Sequence, residues 1–298
     1  MPILPNPPAQ IHRNRQVAES FGDDPARYDR ARPSYPAALV ERILAASPGR
    51  EVLDVGIGTG IAARLFRAAG CAVLGVEADE RMAAFAGQSG IPVEVSTIEE
   101  WDPAGRAFDA VVAGQSWHWV DPVAGAAKAA EVLRPGGIFA AFWNVHQPAP
   151  EAAAAIGEVY RRLVPDLPVI RPGFDAVQGY LGFCDRVAQG LRTTDGAFGE
   201  SEVWRFDWDQ VYSRDEWLDT VQTHGGHSLM PREQRTALAA ALGAAIDELG
   251  GSLDVHYTTL AVTATRFPSS PVRGEPHAPS SMTVPGATDR KRPHTPER

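Results

Sequence analysis

An α/β doubly wound sheet is the fold this sequence predicts, on three observations. Short apolar runs alternate with helix-like stretches between residues 52 and 143, as strands joined by helical crossovers require. The first run, Val52-Leu53-Asp54-Val55, leads directly into the glycine-packed turn Gly56-Ile57-Gly58-Thr59-Gly60 and then a helix. The chain has 298 residues, 44% of them hydrophobic, and only two cysteines, so it can bury a core without disulfides or metal.

Val52 to Val55 suits a central parallel strand, and the glycines let the backbone turn tightly and approach a ligand without Cβ interference. The helix from Ile61 to Ala69 then points its N-terminal amides at the turn and favours negatively polarised groups. Further strands are expected at Ala72 to Glu77, Val93 to Ser96, Ala110 to Gly114 and Ile138 to Trp143. Helices fit Glu80 to Ala86 and Pro122 to Leu133, the latter stopped by Arg134-Pro135-Gly136-Gly137. Beyond Asn144 the alternation breaks, and residues 150–200 read as a helical lid. Trp204, Phe206 and Trp208 then alternate with Arg205 and Asp207, the period of a strand with one buried face. A helix beginning near Pro231 carries Leu238, Leu242, Ile246 and Leu249 on one stripe and stops at Gly250-Gly251. A last strand spans Val255 to Thr265.

Residues 1–20 and 268–298 are proline-rich and polar and are expected to be a disordered leader and tail, leaving residues 21–267 as the folded domain. The net charge of −9 argues against a nucleic-acid partner. No run of 18 apolar residues and no signal-peptide pattern occurs, so a cytoplasmic protein with no membrane partner and a small-molecule substrate is expected. Cys71 and Cys184 form no C-x-x-C pair, and nothing around Cys184 lowers its pKa. His224-Gly-Gly-His227, with His256 as a third ligand, has metal-like spacing, but its glycines point to a turn and no metal is expected.

A dinucleotide turn would place its third glycine at position 61, which is Ile61, so a pyrophosphate is the poorer guest. The G-x-G-x-G spacing after Asp54 instead resembles the first motif of class I S-adenosylmethionine (SAM)-dependent methyltransferases. Gln115 to Asp121 resembles the glutamine-x-x-histidine-tryptophan stretch of a small-molecule subgroup that includes trans-aconitate methyltransferase-like enzymes. Tyr28-Asp29-x-x-Arg32-Pro33-x-Tyr35-Pro36 is similar to that subgroup's N-terminal element, which folds over the cofactor. The likeness runs from about Phe21 to Phe267 and departs at Ile57, where the family usually has Gly or Cys.

The resemblance implies a Rossmann-like seven-stranded sheet, mostly parallel with an antiparallel edge strand. It implies SAM as cofactor, S-adenosylhomocysteine as product, and a small acceptor methylated on oxygen, a carboxylate or hydroxyl. Cofactor contacts are expected from Tyr28, Arg32, Asp54, Gly56, Gly58, Gly60, Glu77, Ala78, Thr97, Ile98, Glu99, Gly114 and Gln115. Glu77, at a strand end, can accept both ribose hydroxyls. The Thr97 to Glu99 segment resembles the adenine-holding one, while Glu99 could equally cap the turn toward Trp101. Gln115, Trp117, His118 and Trp119 are the acceptor-side residues; one tryptophan is expected to wall the pocket and the other to be core. His118 is nominated as a general base, with loop ordering as the equal alternative. Two other functions fit the same motifs: a SAM-binding regulator or scaffold without catalysis, and a C- or N-methyltransferase of secondary metabolism.

Overall fold

The computed structural model describes residues 20–165, 175–225, 227 and 230–268. Most of the expected leader and tail, and the middle of the expected lid, lie outside the described residues.

After a single 3-10 turn at Ser20–Asp23, the elements in chain order are α1 (Pro25–Ala31), α2 (Ala37–Ala46), β1 (Glu51–Val55), α3 (Ile61–Ala68), β2 (Ala72–Glu77), α4 (Glu80–Gly87) and β3 (Val93–Val95). They continue with β4 (Phe108–Gly114), α5 (Pro122–Val132), β5 (Leu133–Pro148), α6 (Pro150–Leu163), α7 (Ala176–Arg192), β6 (Glu202–Ser213), α8 (Arg214–Gln222), α9 (Arg232–Glu248) and β7 (Ser252–Thr265). The seven strands form one sheet in the order β3-β2-β1-β4-β5-β7-β6. Strands β1 to β5 pair in parallel, and β7 runs antiparallel to both β5 and β6.

The central strands are apolar because both faces are covered. Leu53, Val111, Phe139 and Trp143 belong to one buried cluster with α5 and α7, and Val52, Val112, Ala140 and Phe142 to another with α2 and α3. A third cluster gathers Tyr160 of α6, Trp217 of α8, the Leu238-Leu242-Ile246 stripe of α9 and Tyr257 of β7. Strand order reverses between β1 and β4, so a crevice opens at their carboxyl ends, where ligands of such sheets bind.

Several elements differ from expectation, among them α2, which was not expected, and β6, which runs on to Ser213. Strand β5 reaches Pro148 because β7 pairs with it from Ile138 through Pro148, a tertiary effect invisible to local propensity. Helix α8 was not anticipated, although Ser213 and Glu216 form a reciprocal capping box at its start. Helix α1 carries its own signal, Asp24 accepting from the Arg27 amide before Pro25.

Candidate active site

A cavity of about 810 Å³ occupies the crevice. It is lined by Phe21, Tyr28, Arg32 and Tyr35 from the N-terminal segment and by the loops after β1, β2, β3 and β4. Gly56, Gly58 and Gly60 of the first loop all have positive φ, at 63°, 57° and 89°, a conformation costly for other residues. A Cβ on Gly56 would also lie 2.6 Å from the Ser116 Cβ. Ser116 Oγ donates to the Val55 carbonyl at 2.5 Å, pinning the loop after β4 to β1.

Carboxylates hold the loop's shape. Glu77, at the end of β2, accepts from the Gly58 amide at 2.8 Å and the Asp79 amide at 3.0 Å. Burial raises its pKa, and these amide bonds oppose the rise. Asp54 is buried at the end of β1, and neither of its carboxylate oxygens has a hydrogen-bond partner among the described residues. Burial, with the neighbouring Glu77 charge adding to it, pushes Asp54 up to about 8, against a lowering by the nearby Ala63 amide, which falls outside hydrogen-bond geometry. A buried carboxyl without a partner is costly when ionised and favours a cationic guest.

Across the cavity, Gln115 sits at φ 57°, a strained conformation for a non-glycine residue. Its side chain donates to the Asn144 carbonyl at 3.2 Å. Asn144 in turn donates to Ser34 O at 2.9 Å and accepts from Thr259 Oγ1 at 2.7 Å, so β5, β7 and the N-terminal segment together fix this wall. His118 lies in a 3-10 turn, Trp117–Trp119, and its Nδ1 accepts from Trp143 Nε1 at 3.1 Å. Indole N–H can only donate, so neutral His118 carries its proton on Nε2, which is buried without a partner among the described residues. Burial holds its pKa down to about 3.

Of the residues singled out from sequence, Tyr28, Arg32, Asp54, Gly56, Gly58, Glu77, Ala78, Thr97, Ile98, Glu99, Gly114, Gln115, His118 and Trp119 all line this cavity. Gly60 and Trp117 do not: Gly60 sets the start of α3, and Trp117 is buried core, packed edge-on against Phe139 at 4.6 Å. Glu99 Oε1 accepts from the Asp121 amide at 2.8 Å, so that oxygen braces the turn before α5 rather than a turn toward Trp101. Lining residues that sequence reasoning left out include Phe21, Tyr35, Met82, Ser116 and Val120. Tyr35 belongs to the N-terminal motif already noted, though it was not named as a site residue; Met82, one turn into α4, gives no sequence signal. His224 and His227 face each other at 6.0 Å between ring centroids, but His256 is elsewhere, bonded to Asp209 at 2.7 Å. Among the described residues no group of three or more metal-ligating side chains is arranged around one point, and no helix is long and apolar enough to cross a membrane.

Residues 53–141, from β1 into β5, match the family model of a methyltransferase domain. Uncharacterized methyltransferases of Mycobacterium tuberculosis and Mycobacterium bovis are each 34% identical over 151 residues, 50% of this chain. The matched region spans 61% of the length of these curated relatives. A solved structure described as a candidate type II methyltransferase from Anaeromyxobacter dehalogenans is 25% identical, with a TM-score of 0.57, covering 80% of this chain and 99% of that one. The seven-stranded sheet with its antiparallel β7 is the Rossmann-like methyltransferase fold.

Proposed function

We propose that this chain is a SAM-dependent methyltransferase that transfers a methyl group to an oxygen of a small molecule. The observation that carries the reading is Asp54, a buried carboxyl with no partner among the described residues, on the cavity wall beside a glycine loop braced by Glu77. Asp54 would hold the cofactor's ammonium group, Glu77 its ribose hydroxyls, and the apolar wall of Ile98 and Met82 with the backbone of Thr97 to Glu99 its adenine. The cavity volume lies within the range of about 300–1,000 Å³ common for small-molecule sites.

When bound, SAM would supply an electrophilic methyl group on a sulfonium sulfur, which would keep the bonding electron pair when the methyl is transferred. The chain's own residues supply position. Gln115, held by Asn144, and Trp119 wall the acceptor side, and holding reactants in near-attack geometry can contribute about 7–11 kcal/mol. His118 acts as an Nε2–H donor: its Nδ1 lone pair is taken by Trp143, and a pKa of about 3 leaves it unable to hold an abstracted proton near neutrality. The Tyr35 hydroxyl is kept neutral by burial, its pKa well above the usual value. An acceptor oxygen that is already ionised fits such a site better than an alcohol, which would need a base.

Calorimetric titration with SAM and S-adenosylhomocysteine, alongside Glu77→Ala, tests the reading. Saturable binding weakened by about 1 kcal/mol or more in the variant is expected. No binding of either ligand removes the assignment, and tight binding without turnover on any acceptor leaves a SAM-binding protein.

A further inference from the structure

Strand β6 closes one side of the sheet: β7 pairs with it along one edge, and among the described residues no strand pairs with the other. Such an edge presents a row of unpaired N–H and C=O groups to any further strand. Proteins usually blunt it with a short strand, a bulge, a proline or a lysine. None of these devices is found in β6. The strand runs from Glu202 to Ser213, its register with β7 is unbroken over that length, and its sequence contains no proline, glycine or lysine.

What guards this edge is charge, and the charge is self-complementary. Arg205, Asp207 and Asp209 stand exposed on one face. Arg205 Nε donates to both Asp207 oxygens, at 3.0 and 2.9 Å, and its Nη2 to Thr258 Oγ1 at 3.3 Å, which leaves Nη1 without a partner among the described residues. Two copies of β6 laid antiparallel about a two-fold axis normal to the sheet keep each side chain on its own face, so the axis passes through one residue, which meets itself. An axis at Arg205, Asp207 or Asp209 sets like charges against each other, and one at Trp208 sets Asp207 against Asp209. An axis at Trp204 brings no opposite charges together. With the axis at Phe206, Arg205 faces Asp207 of the second copy on both sides of it, and Trp204 faces Trp208. Opposite-charge and aromatic pairs are favourable cross-strand neighbours, whereas like charges directly opposite are not. Both indoles are already held in place: the Arg42 guanidinium carbon lies 4.1 Å from the centroid of Trp204, and Trp208 stacks on Tyr257 at 4.4 Å. Pairing therefore costs little side-chain freedom.

We propose that this edge binds a second copy of the chain, β6 against β6 with Phe206 on the two-fold axis, joining the two sheets into one. The charges that deter a foreign strand become the contacts that select an identical one. The pairing involves neither the cavity nor a cofactor, so it stands apart from the methyl-transfer reading.

Sedimentation of the full chain from about 1 μM to about 1 mM tests the proposal, alongside Arg205→Asp, Asp207→Arg and the double exchange. The wild type should form a dimer. Each single variant places like charges opposite each other on both sides of the axis, so its self-association should weaken about tenfold or more. An equimolar mixture of the two single variants should dimerise, because each supplies the charge the other lacks, and the double exchange should dimerise as the wild type does. Recovery on mixing depends on the register across the axis and is not expected from a role of these residues within one copy. The proposal is overturned if the wild type stays monomeric over the whole range, if its dimer is indifferent to either single exchange, or if mixing restores nothing. The wild-type measurement decides even if the variants fail to fold: a monomer sinks the pairing, and a dimer whose β6 amides exchange with solvent as fast as in the dilute monomer places the interface elsewhere and sinks it too.

Discussion

Asp54 shows how one side chain links folding to ligand binding. Its folded-state pKa of about 8 lies above the ordinary value of 3.8, so the folded protein binds this proton more tightly than the unfolded chain. Stability of the unliganded protein is therefore lost as pH rises from about 4 to about 8, and this contribution is flat above. Asp54→Asn should gain on the wild type across that window and no further beyond it, as read by denaturant midpoints from pH 4.5 to 9. Seating a cation against Asp54 reverses the preference and expels the proton. SAM binding near pH 7 should then show an enthalpy that depends on the buffer's ionisation enthalpy, through a component that Asp54→Asn abolishes; equal buffer dependence in both proteins would place the ammonium elsewhere. His118 makes a contrasting prediction, because its accepting nitrogen is already occupied. His118→Asn should lower turnover without changing the shape of the pH–rate profile, and a limb near the ordinary histidine value of about 6.5 that disappears in the variant would restore it as a base.

At the scale of elements, Ile57 explains how an unusual glycine loop is accommodated. Its side chain is buried in the core, and a Cβ on Gly75 of β2 would come within 2.6 Å of it. The bulk added to the loop is matched by its absence from the neighbouring strand. Gly75→Ala should destabilise the wild type by about 1–3 kcal/mol and cost less when Ile57 is Ala, with a coupling of about 0.5–3 kcal/mol in a double-mutant cycle; equal costs in both backgrounds would show that the two do not share the space. Leu242 of α9 is fully buried in the separate third cluster. Leu242→Ala should cost about 2–5 kcal/mol in stability while leaving SAM affinity unchanged in the folded protein. These elements also show what local pattern can reveal. Strands β1 and β4 and the middle of β5 were legible because burial on both faces forces apolar runs, whereas the full length of β5 depends on a partner more than 100 residues away. The stripe of α9 was legible by period, and α8 carried a readable capping box that an apolar-periodicity search passes over.

The whole molecule brings to one cavity residues whose roles depend on different kinds of information. Glycines, Asp54 and Glu77 are fixed by a short motif at the switch point of the sheet, so their common location could be anticipated. Phe21, Tyr35 and Met82 reach the cavity from separate segments, which no local window contains. The N-terminal segment is tied to the helices that follow β1 and β2 by Asp29 to Arg64 of α3 at 2.7 Å and Asp23 to Arg81 of α4 at 2.9 Å. These pairs are partly exposed and each contributes little, so a ligand filling the cavity beneath them should govern how firmly the segment is held. Hydrogen exchange of locally opening amides, with and without saturating S-adenosylhomocysteine, should therefore slow in residues 20–36, 56–61 and 96–100. Arg232, Arg235, Thr236 and Ala239 of α9 line a smaller hollow with Phe21 and Tyr28, but α6 and the part of α9 from Leu242 onward pack in the third cluster, and the local openings of these two stretches do not require the cavity to open. Their exchange should remain unchanged; slowing there equal to that of residues 20–36 would mean that the ligand stabilises the molecule globally or binds outside this cavity, and the N-terminal segment would lose its assigned part in closing over the cofactor.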